Sequence, residues 1–376
     1  MKTSIITTTI NLPTFLCEYY KNFDQYNHKK EDISFIIVGD NKTPKITEDF
    51  VREYSTNRYS TEYWSPKKQD KWLKETFPNK NEKIKTIIPE NDMRRRNFGY
   101  LRALDIGSDV IITIDDDNYP LPDHDWLGLH LSNLTTKHYT HISSSNSFVN
   151  ACRIFESKLP IYSRGYPIAY LFTDDEIYSK TQDPRQSDLN LGLWTGKPDV
   201  DSYTNLIYPD FTTEYPINAR SAYSIKSDNY FPLNTQNTSF KKELSIFHNL
   251  YMEPLYNLPS HRFDDIWVGL FCLKLIHKKG KTATFGAPIV EHRRNAHNYQ
   301  KDLQTEFIGA AINTKMWEFI RDIEITSTNY NDGFLEIAAK LETEFVKILT
   351  DKKIIKFIHN MADSMRFWIE LTEIVK

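Results

Sequence analysis

Two short apolar runs that each end in acidic residues constrain the fold of this chain most strongly. Residues 33–38 and 110–114 are mainly β-branched or aromatic, without regular polar alternation. The first run is followed by Gly39 and Asp40, and the second by Asp115, Asp116 and Asp117. Runs of this kind are typical of strands buried on both faces of a parallel sheet. Open α/β sheets bind their ligands at the carboxyl ends of such strands, so the acidic residues are candidate ligand contacts.

Helical patterns between the apolar runs favour an α/β fold. Residues 4–10 predict a further strand, and residues 13–23 and 94–104 have apolar spacing typical of helices. This alternation predicts a Rossmann-like, mostly parallel sheet flanked by helices. Residues 40–90 are polar and irregular, so the sequence does not predict their path.

The last part of the chain has a different texture. Apolar residues repeat at helical spacing from Phe334 to Ile348 and again from Ile354 to Trp368. We therefore expect a main α/β domain over residues 1–322 and a C-terminal helical extension over residues 323–376. The apolar stripes of the extension need burial, either on the main domain or in a homo-oligomer.

Composition excludes several functional classes. The chain has 47 Lys and Arg against 50 Asp and Glu, a formal net charge of -3, so global charge does not favour nucleic acid or anionic lipid. Three widely separated cysteines form neither a disulfide framework nor a zinc pattern and suit a reducing compartment. We find no signal peptide and no run near the roughly 20 apolar residues of a membrane span, and therefore expect a cytoplasmic protein.

The aspartate triplet is the sharpest candidate for metal binding. Three consecutive carboxylates repel one another, so they are costly after a buried strand unless a positive charge compensates them. Mg²⁺ and Mn²⁺ take oxygen ligands and commonly bridge carboxylates to substrate phosphates. We predict that Asp115 and Asp117 bind such a cation, the alternative being a solvated acidic turn. His292 follows the apolar segment 287–290 and is a candidate third ligand, although a lone histidine is more often structural.

Three consecutive arginines precede the second apolar run. Arginine suits bidentate contacts with phosphate oxygens, so Arg95 and Arg96 are candidates for binding a diphosphate. The alternative is a solvated helix face.

Two further motifs have a functional and a structural interpretation. Asp264 and Asp265 stand at the start of an apolar helix, where they could bind an acceptor hydroxyl, act as a general base or only cap the helix. Trp194 lies in a Gly- and Asp-rich region and could stack on a sugar ring or be buried beside a turn.

Taken in order, these motifs resemble the reversibly glycosylated polypeptide family, the plant UDP-arabinopyranose mutases and their bacterial relatives. The resemblance spans roughly residues 5–320, and the final helices are not clearly covered. The segments that carry it are 35–40, 98–100, 113–117, 164–167, 192–194, 198–201, 231–232, 262–269 and His292.

The resemblance implies a GT-A-type fold, a UDP-sugar donor and a Mn²⁺ or Mg²⁺ ion. It implies that the metal lies at the aspartate triplet and His292, that Asp40 faces the nucleoside, and that Asp264 and Asp265 lie near the sugar. The candidate residues for donor binding are Asp40, Arg95, Arg96, Asp115, Arg164 and Trp194.

One departure from the family pattern bears on the reaction. Mutases of the family have a second essential arginine shortly after the Arg-Gly-Tyr-Pro segment, where an ungapped count gives Leu171. Arg185 could replace it, and we expect residues 172–188 to form a loop over or beside the site. We therefore favour a metal-dependent glycosyltransferase that moves a sugar, such as the pentose arabinose, from a UDP-sugar to an acceptor hydroxyl.

Two other functions stay open at this point. One is a mutase that interconverts the pyranose and furanose forms of a UDP-sugar, and the other is a non-catalytic module that binds sugar nucleotides or glycans. The sequence does not specify the acceptor, which could be a glycan, a protein, a lipid-linked sugar or a modified nucleic-acid base.

Overall fold

The structure, a computed structural model, describes residues 1–155, 157, 159–173, 175–180, 183–214, 220–294 and 298–376. In these ranges the strands are β1 (Thr3–Thr9), β2 (Ile33–Gly39), β3 (Ser60–Trp64), β4 (Val110–Ile114), β5 (Asn118–Pro120), β6 (Thr136–Lys137), β7 (Thr140–Ser143), β8 (Ile177–Lys180), β9 (Arg185–Gly196), β10 (Ala222–Ile225), β11 (Asn237–Lys241) and β12 (Thr282–His292). The helices are α1 (Leu16–Gln25), α2 (Thr47–Ser55), α3 (Pro66–Thr76), α4 (Asn81–Ile87), α5 (Arg96–Asp105), α6 (Trp126–Ser132), α7 (Ser202–Ile207), α8 (Asp264–Lys278), α9 (Tyr299–Asp322), α10 (Tyr330–Thr343) and α11 (Lys352–Val375).

One large twisted sheet organises these elements in the order β3-β2-β1-β4-β11-β9-β12-β10-β7-β8. The first four strands are parallel, whereas β11 is antiparallel to both of its neighbours. The predicted α/β class, with a large sheet flanked by helices, is confirmed. Parallel pairing is continuous only in the first half of the sheet. Beyond β4 the pairing is mixed, with β9–β12 and β10–β7 parallel and the other neighbours antiparallel.

Helix α5 shows how the crossover brings charged residues to the ligand-binding edge. It connects the strands of the parallel half and runs antiparallel to them, so its first residue, Arg96, lies near the carboxyl ends of the strands. A Cβ atom on Gly99 would stand 2.4 Å from Cγ2 of Ile6, so glycine allows the helix to lie close against β1. The same edge receives the residues that follow β1, β2 and β4.

The C-terminal helices pack on the rest of the chain. Helix α11 contacts α5 and α10, and α10 contacts α8. The apolar stripes pack in the continuous core except for Ile348, which lies beyond the end of α10 and is exposed. Asp188 of β9 is buried and accepts hydrogen bonds from Lys281 Nζ and Tyr330 Oη, each at 2.6 Å, which ties α10 to the sheet. The two predicted helices are confirmed, and their stripes are covered within this chain. The division at residue 322 stays a prediction.

None of the helices in the described ranges is long and apolar enough to cross a membrane.

Candidate functional site

A cavity of about 540 Å³ opens at the carboxyl ends of β1, β2 and β4. Its walls include Thr9 after β1, Asp40 after β2, and the triplet after β4. Met93 and the arginines that begin α5 complete the wall on the helix side. The cavity therefore lies where parallel α/β sheets bind ligands.

The three carboxylates of the triplet have different partners. Asp115 pairs with the guanidinium of Arg96, and Asp116 accepts hydrogen bonds from Thr9 Oγ1 at 2.6 Å and Asn11 Nδ2 at 3.2 Å. Burial raises the pKa of Asp115 and of Asp116 above their ordinary values, with repulsion from Asp117 adding to the effect. The buried guanidinium of Arg96 opposes the shift at Asp115 and is itself held in the charged state, with a raised pKa.

Asp117 lies beside His292, which ends β12. The distance from Asp117 Oδ2 to His292 Nε2 is 3.4 Å. Strand β5 explains this approach, because it continues from the triplet and pairs with β12 so that Asn118 stands opposite His292. The backbone N–H of Arg293 also donates to the Asp117 carbonyl at 2.9 Å. The predicted proximity of His292 to the triplet is therefore observed.

The orientation of His292 suits metal binding. Its Nδ1 donates to the carbonyl oxygen of Lys197, which fixes the ring so that Nε2 faces Asp117. Two donor atoms 3.4 Å apart can share one cation, since each bond to the ion is about 2.1 Å long.

The three-residue metal shell predicted from the sequence is not assembled. Within the described residues, no group of three His, Cys, Asp or Glu side chains is arranged to hold a metal ion. The reason is that Asp115 turns toward Arg96. Asp117 and His292 remain as the pair that fits a cation.

The two predicted phosphate-binding arginines border the cavity and are almost fully buried. Arg95 is 2% exposed and donates to the Pro89 carbonyl at 3.2 Å. Arg96 is 3% exposed and donates to the Thr235 carbonyl at 3.0 Å in addition to its ion pair. The ion pair and the hydrogen bond of Arg96 hold its guanidinium in place before any ligand binds.

Asp40 occupies the part of the cavity at the end of β2. Its Oδ1 accepts hydrogen bonds from the backbone N–H groups of Asn41 at 2.7 Å and Asn91 at 2.9 Å. These bonds join the β2 loop to the segment before α5. The structure thus brings Asp40, both arginines and the triplet to one cavity, as the sequence predicted.

Asp264 and Asp265 are buried in a separate cluster and do not line that cavity. Asp265 is 4% exposed and accepts hydrogen bonds from Nη1 and Nη2 of Arg164 at 3.0 and 3.1 Å. Asp264 is 1% exposed and is bonded to Asn249 Nδ2 at 3.1 Å. Burial, together with repulsion from Asp265, raises the pKa of Asp264 to about 8. The prediction that either residue receives a proton from an acceptor is corrected, because both carboxylates are enclosed by protein partners.

Arg164 holds this cluster together from the side of the Arg-Gly-Tyr-Pro segment. Its Nε lies 3.1 Å from both carboxylate oxygens of Asp199, and its other two nitrogens bind Asp265. Burial acts to raise the pKa of Asp199, but the guanidinium of Arg164 outweighs it and lowers that pKa. The donor-binding role predicted for Arg164 is therefore replaced by a structural one, because its nitrogens are engaged by carboxylates and by the Arg262 carbonyl.

Three predictions about the second half of the site are wrong. Trp194 is fully buried and packs against the Phe155 ring with centroids 6.3 Å apart, so its faces are not available to a sugar. Arg185 begins β9, whereas the end of that strand, Gly196, pairs with His292. Arg185 is exposed, and its guanidinium donates to the Gly280 carbonyl at 3.2 Å. This contact lies at the end of β9 opposite to Gly196 and His292.

The segment 172–188 is also not a loop over the cavity. It contains β8, which pairs with β7 at the outer edge of the sheet, and the first residues of β9. Residues 174, 181 and 182 lie outside the described ranges.

Sequence reasoning missed the parts that main-chain groups and distant residues contribute. The carbonyls of Lys197 and Thr235 orient His292 and Arg96, and main-chain contacts of this kind leave no residue signature. Asp199 stood within a motif already noted, and its pairing with Arg164 needed the tertiary structure.

The chain matches a known family and several of its plant relatives in sequence. The model of the family described as reversibly glycosylated polypeptide matches residues 79–376 and so includes the final helices that the sequence resemblance left uncovered. A probable UDP-arabinopyranose mutase 1 of Pisum sativum is 24% identical over 377 residues, 97% of this chain and 89% of its own. UDP-arabinopyranose mutase 1 of Arabidopsis thaliana is 24% identical over 299 residues, 76% of this chain and 74% of its own.

Among solved structures, the chain has a distant likeness to two transferases. A mannosyltransferase from Pyrobaculum calidifontis superposes with a TM-score of 0.39 and 10% identity, covering 100% of this chain and 84% of its own. Glucosyl-3-phosphoglycerate synthase from Mycobacterium tuberculosis gives a TM-score of 0.38 and 9% identity, covering 83% and 78%.

The family model spans most of the chain, including the triplet, Arg164 and His292 in the order noted from the sequence. The protein therefore belongs to the reversibly glycosylated polypeptide family.

Proposed function

We propose that this protein is a UDP-sugar-dependent glycosyltransferase whose donor binds in the cavity at the ends of β1, β2 and β4. The observation that carries the proposal is the composition of that cavity. It combines the three carboxylates of the triplet with the buried arginines Arg95 and Arg96. A nucleoside diphosphate with a divalent cation needs both kinds of charge, cations for its phosphates and carboxylates for its metal.

Asp117 and His292 are the residues that would hold the cation, either Mn²⁺ or Mg²⁺. Their 3.4 Å separation and the Lys197 carbonyl behind the imidazole support this assignment. Imidazole is a better ligand for Mn²⁺ than for Mg²⁺, so we expect higher activity with Mn²⁺. When bound, the cation supplies positive charge that stabilises the diphosphate as a leaving group.

The arginines have distinct parts in this proposal. Arg96 compensates Asp115, which reduces repulsion within the triplet. Arg95 is tied only through Nη1 to the Pro89 carbonyl among the contacts of the described residues, so its remaining guanidinium N–H groups support phosphate binding. Asp40 holds the β2 loop against the segment before α5 and so shapes the place where the nucleoside would lie.

Ring interconversion of a UDP-sugar is the second candidate function. It is favoured by the relatives, which are named UDP-arabinopyranose mutases. It is opposed by the position of Arg185, at the end of β9 far from the cavity, and by Leu171, where the resemblance implies an arginine. Transfer to an acceptor needs no such arginine, so we place it first.

Product analysis separates the two functions. Purified protein is incubated with Mn²⁺ and a panel of UDP-sugars that includes UDP-arabinopyranose, and both free UDP and ring isomers are measured. Transferase activity gives UDP release that rises when the acceptor is supplied, with glycans, proteins, lipid-linked sugars and modified bases as the acceptor classes. Efficient formation of the furanose isomer without net UDP release would instead establish the mutase. The Asp117→Asn variant is the blank for either reaction.

A further inference from the structure

Asp265 lies behind the cavity and is connected to the triplet through the main chain of Thr235. Its Oδ2 accepts the backbone N–H of Thr235 at 3.1 Å, and the Thr235 carbonyl accepts Arg96 Nη1 at 3.0 Å. Arg96 in turn pairs with Asp115. Asp265, Thr235 and Arg96 are buried, whereas Asp115 at the end of this chain of contacts borders the cavity.

We propose that Asp265 is a positioning residue that fixes Arg96 beside the triplet through the Thr235 peptide. Arg164 already donates two hydrogen bonds to its carboxylate, so Asp265 contributes an acceptor that is fixed in place. With Thr235 held, Arg96 cannot rotate away from Asp115 without losing a buried hydrogen bond. This inference rests on the proposed donor site, because it assigns a role within that site.

The cluster contains a matched control for this inference. Asp199 and Asp265 both bind Arg164, and both are buried. Asp199 accepts from the side chain of Asn234, whereas Asp265 accepts from the peptide that also holds Arg96. Replacing either aspartate by asparagine therefore weakens the same buried ion pair, but only the change at Asp265 disturbs the link to Arg96.

The experiment compares Asp265→Asn with Asp199→Asn in three measurements. The midpoint of thermal unfolding should fall by similar amounts in both variants. The dissociation constant for UDP with Mn²⁺, measured by titration calorimetry, should rise about tenfold for Asp265→Asn, as for other outer-shell partners. For Asp199→Asn it should stay within about twofold.

A third measurement needs no ligand. Amide exchange of the peptide that spans residues 113–118 should be faster in Asp265→Asn than in Asp199→Asn, since the Asp115 N–H is bonded to the carbonyl of Gln236, next to Thr235. If wild-type protein does not bind UDP, the proposed function fails, and the exchange rates alone decide the positioning role. Equal exchange and equal UDP affinity in the two variants would overturn the inference.

A second variant covers the case in which Asp265→Asn does not fold. Thr113 Oγ1 donates to the same Thr235 carbonyl at 2.9 Å. Thr113→Val removes this bond and keeps the ion cluster intact. UDP affinity should fall by a smaller factor, about threefold. Unchanged affinity and unchanged exchange in this variant would count against the Thr235 link.

Discussion

Asp115, Asp116 and Asp117 border a solvent-filled cavity, whereas Asp199 and Asp265 lie in a closed cluster around Arg164. Both groups place several carboxylates close together near the carboxyl ends of the strands. In the cluster, one guanidinium binds both carboxylates. In the triplet, Arg96 is paired with only one of the three. The triplet therefore has two carboxylates in excess of its guanidinium and borders the cavity, whereas the cluster has one in excess and is buried.

This difference separates binding from positioning. A buried site whose carboxylates are held by its own guanidinium contributes geometry, whereas an open site with an excess of negative charge attracts a cation. Sequence motifs alone do not distinguish the two cases, since both contain adjacent aspartates and a nearby arginine.

The largest expected effect is on stability, from the closed cluster. Arg164→Met leaves Asp199 and Asp265 buried without their cation, so the free energy of unfolding should fall by about 3 to 5 kcal/mol. Urea denaturation monitored by tryptophan fluorescence measures it. Arg293→Met is the control: its ion pair with Glu291 is exposed and should contribute less than about 1 kcal/mol. Equal losses in the two variants would show that the cluster is not closed.

The next effect is on activity, from the open triplet. Asp117→Ala should lower turnover at least about 100-fold, because the pair that fits the cation is lost. Its unfolding midpoint should change little, since removing one member of a repelling group relieves repulsion. Turnover is measured over a Mn²⁺ titration, with Glu373→Ala on α11 as a surface control. Full activity of Asp117→Ala in EDTA would refute the metal assignment.

A smaller effect concerns the pH dependence of stability, from Asp264. Its pKa is raised from 3.8 to about 8 by burial, with Asp265 and Asp92 also raising it and Arg94 opposing them. The folded protein therefore retains a proton that the unfolded chain releases, so its stability falls as pH rises from about 4 to about 8.

Asp264→Asn should remove this decline. Unfolding in urea at several pH values would then give a flatter curve for the variant than for the wild type. Parallel curves would mean that Asp264 is ionised in the folded protein.

The smallest effect is expected for Arg185, at the end of β9 far from the cavity. Arg185→Ala removes an exposed hydrogen bond to Gly280 and should leave UDP affinity and turnover within about twofold of wild type. Loss of ring interconversion in this variant would show that Arg185 reaches the substrate and that the mutase assignment is correct.

Much of the parallel half of the fold could be predicted from the sequence. The apolar runs that became β2 and β4 are buried on both faces, and their acidic ends meet at one cavity. Burial on both faces demands continuous apolar sequence, which is a local property. The other, mixed half was not predicted in detail, because β11 and β9 contain buried polar residues such as Asn237 and Asn190, whose partners are distant in sequence.

The candidate site divides in the same way. Asp40, Arg95, Arg96 and the triplet could be assigned from their places at strand and helix ends. Trp194 and Arg185 could not, since an isolated tryptophan or arginine is equally compatible with burial, solvent exposure or a ligand contact. Their roles depend on the register of β9 against β12, which puts Gly196 beside His292 and Arg185 at the other end.

By itself, the sequence determined the parallel strands β1, β2 and β4, the helices α1 and α5 and the acidic edge, because hydrophobic periodicity and strand ends are local features. Strand β3 and helices α2 to α4 lie in the polar residues 40–90, whose path the sequence did not predict. Only the tertiary structure decided which carboxylates remain available. It paired Asp115 with Arg96, buried Asp265 in an ion pair with Arg164 and brought His292 to Asp117 through β5. The physical reason is that the state of a charge depends on its distance to other charges and on its burial, and residues far apart in the chain set both.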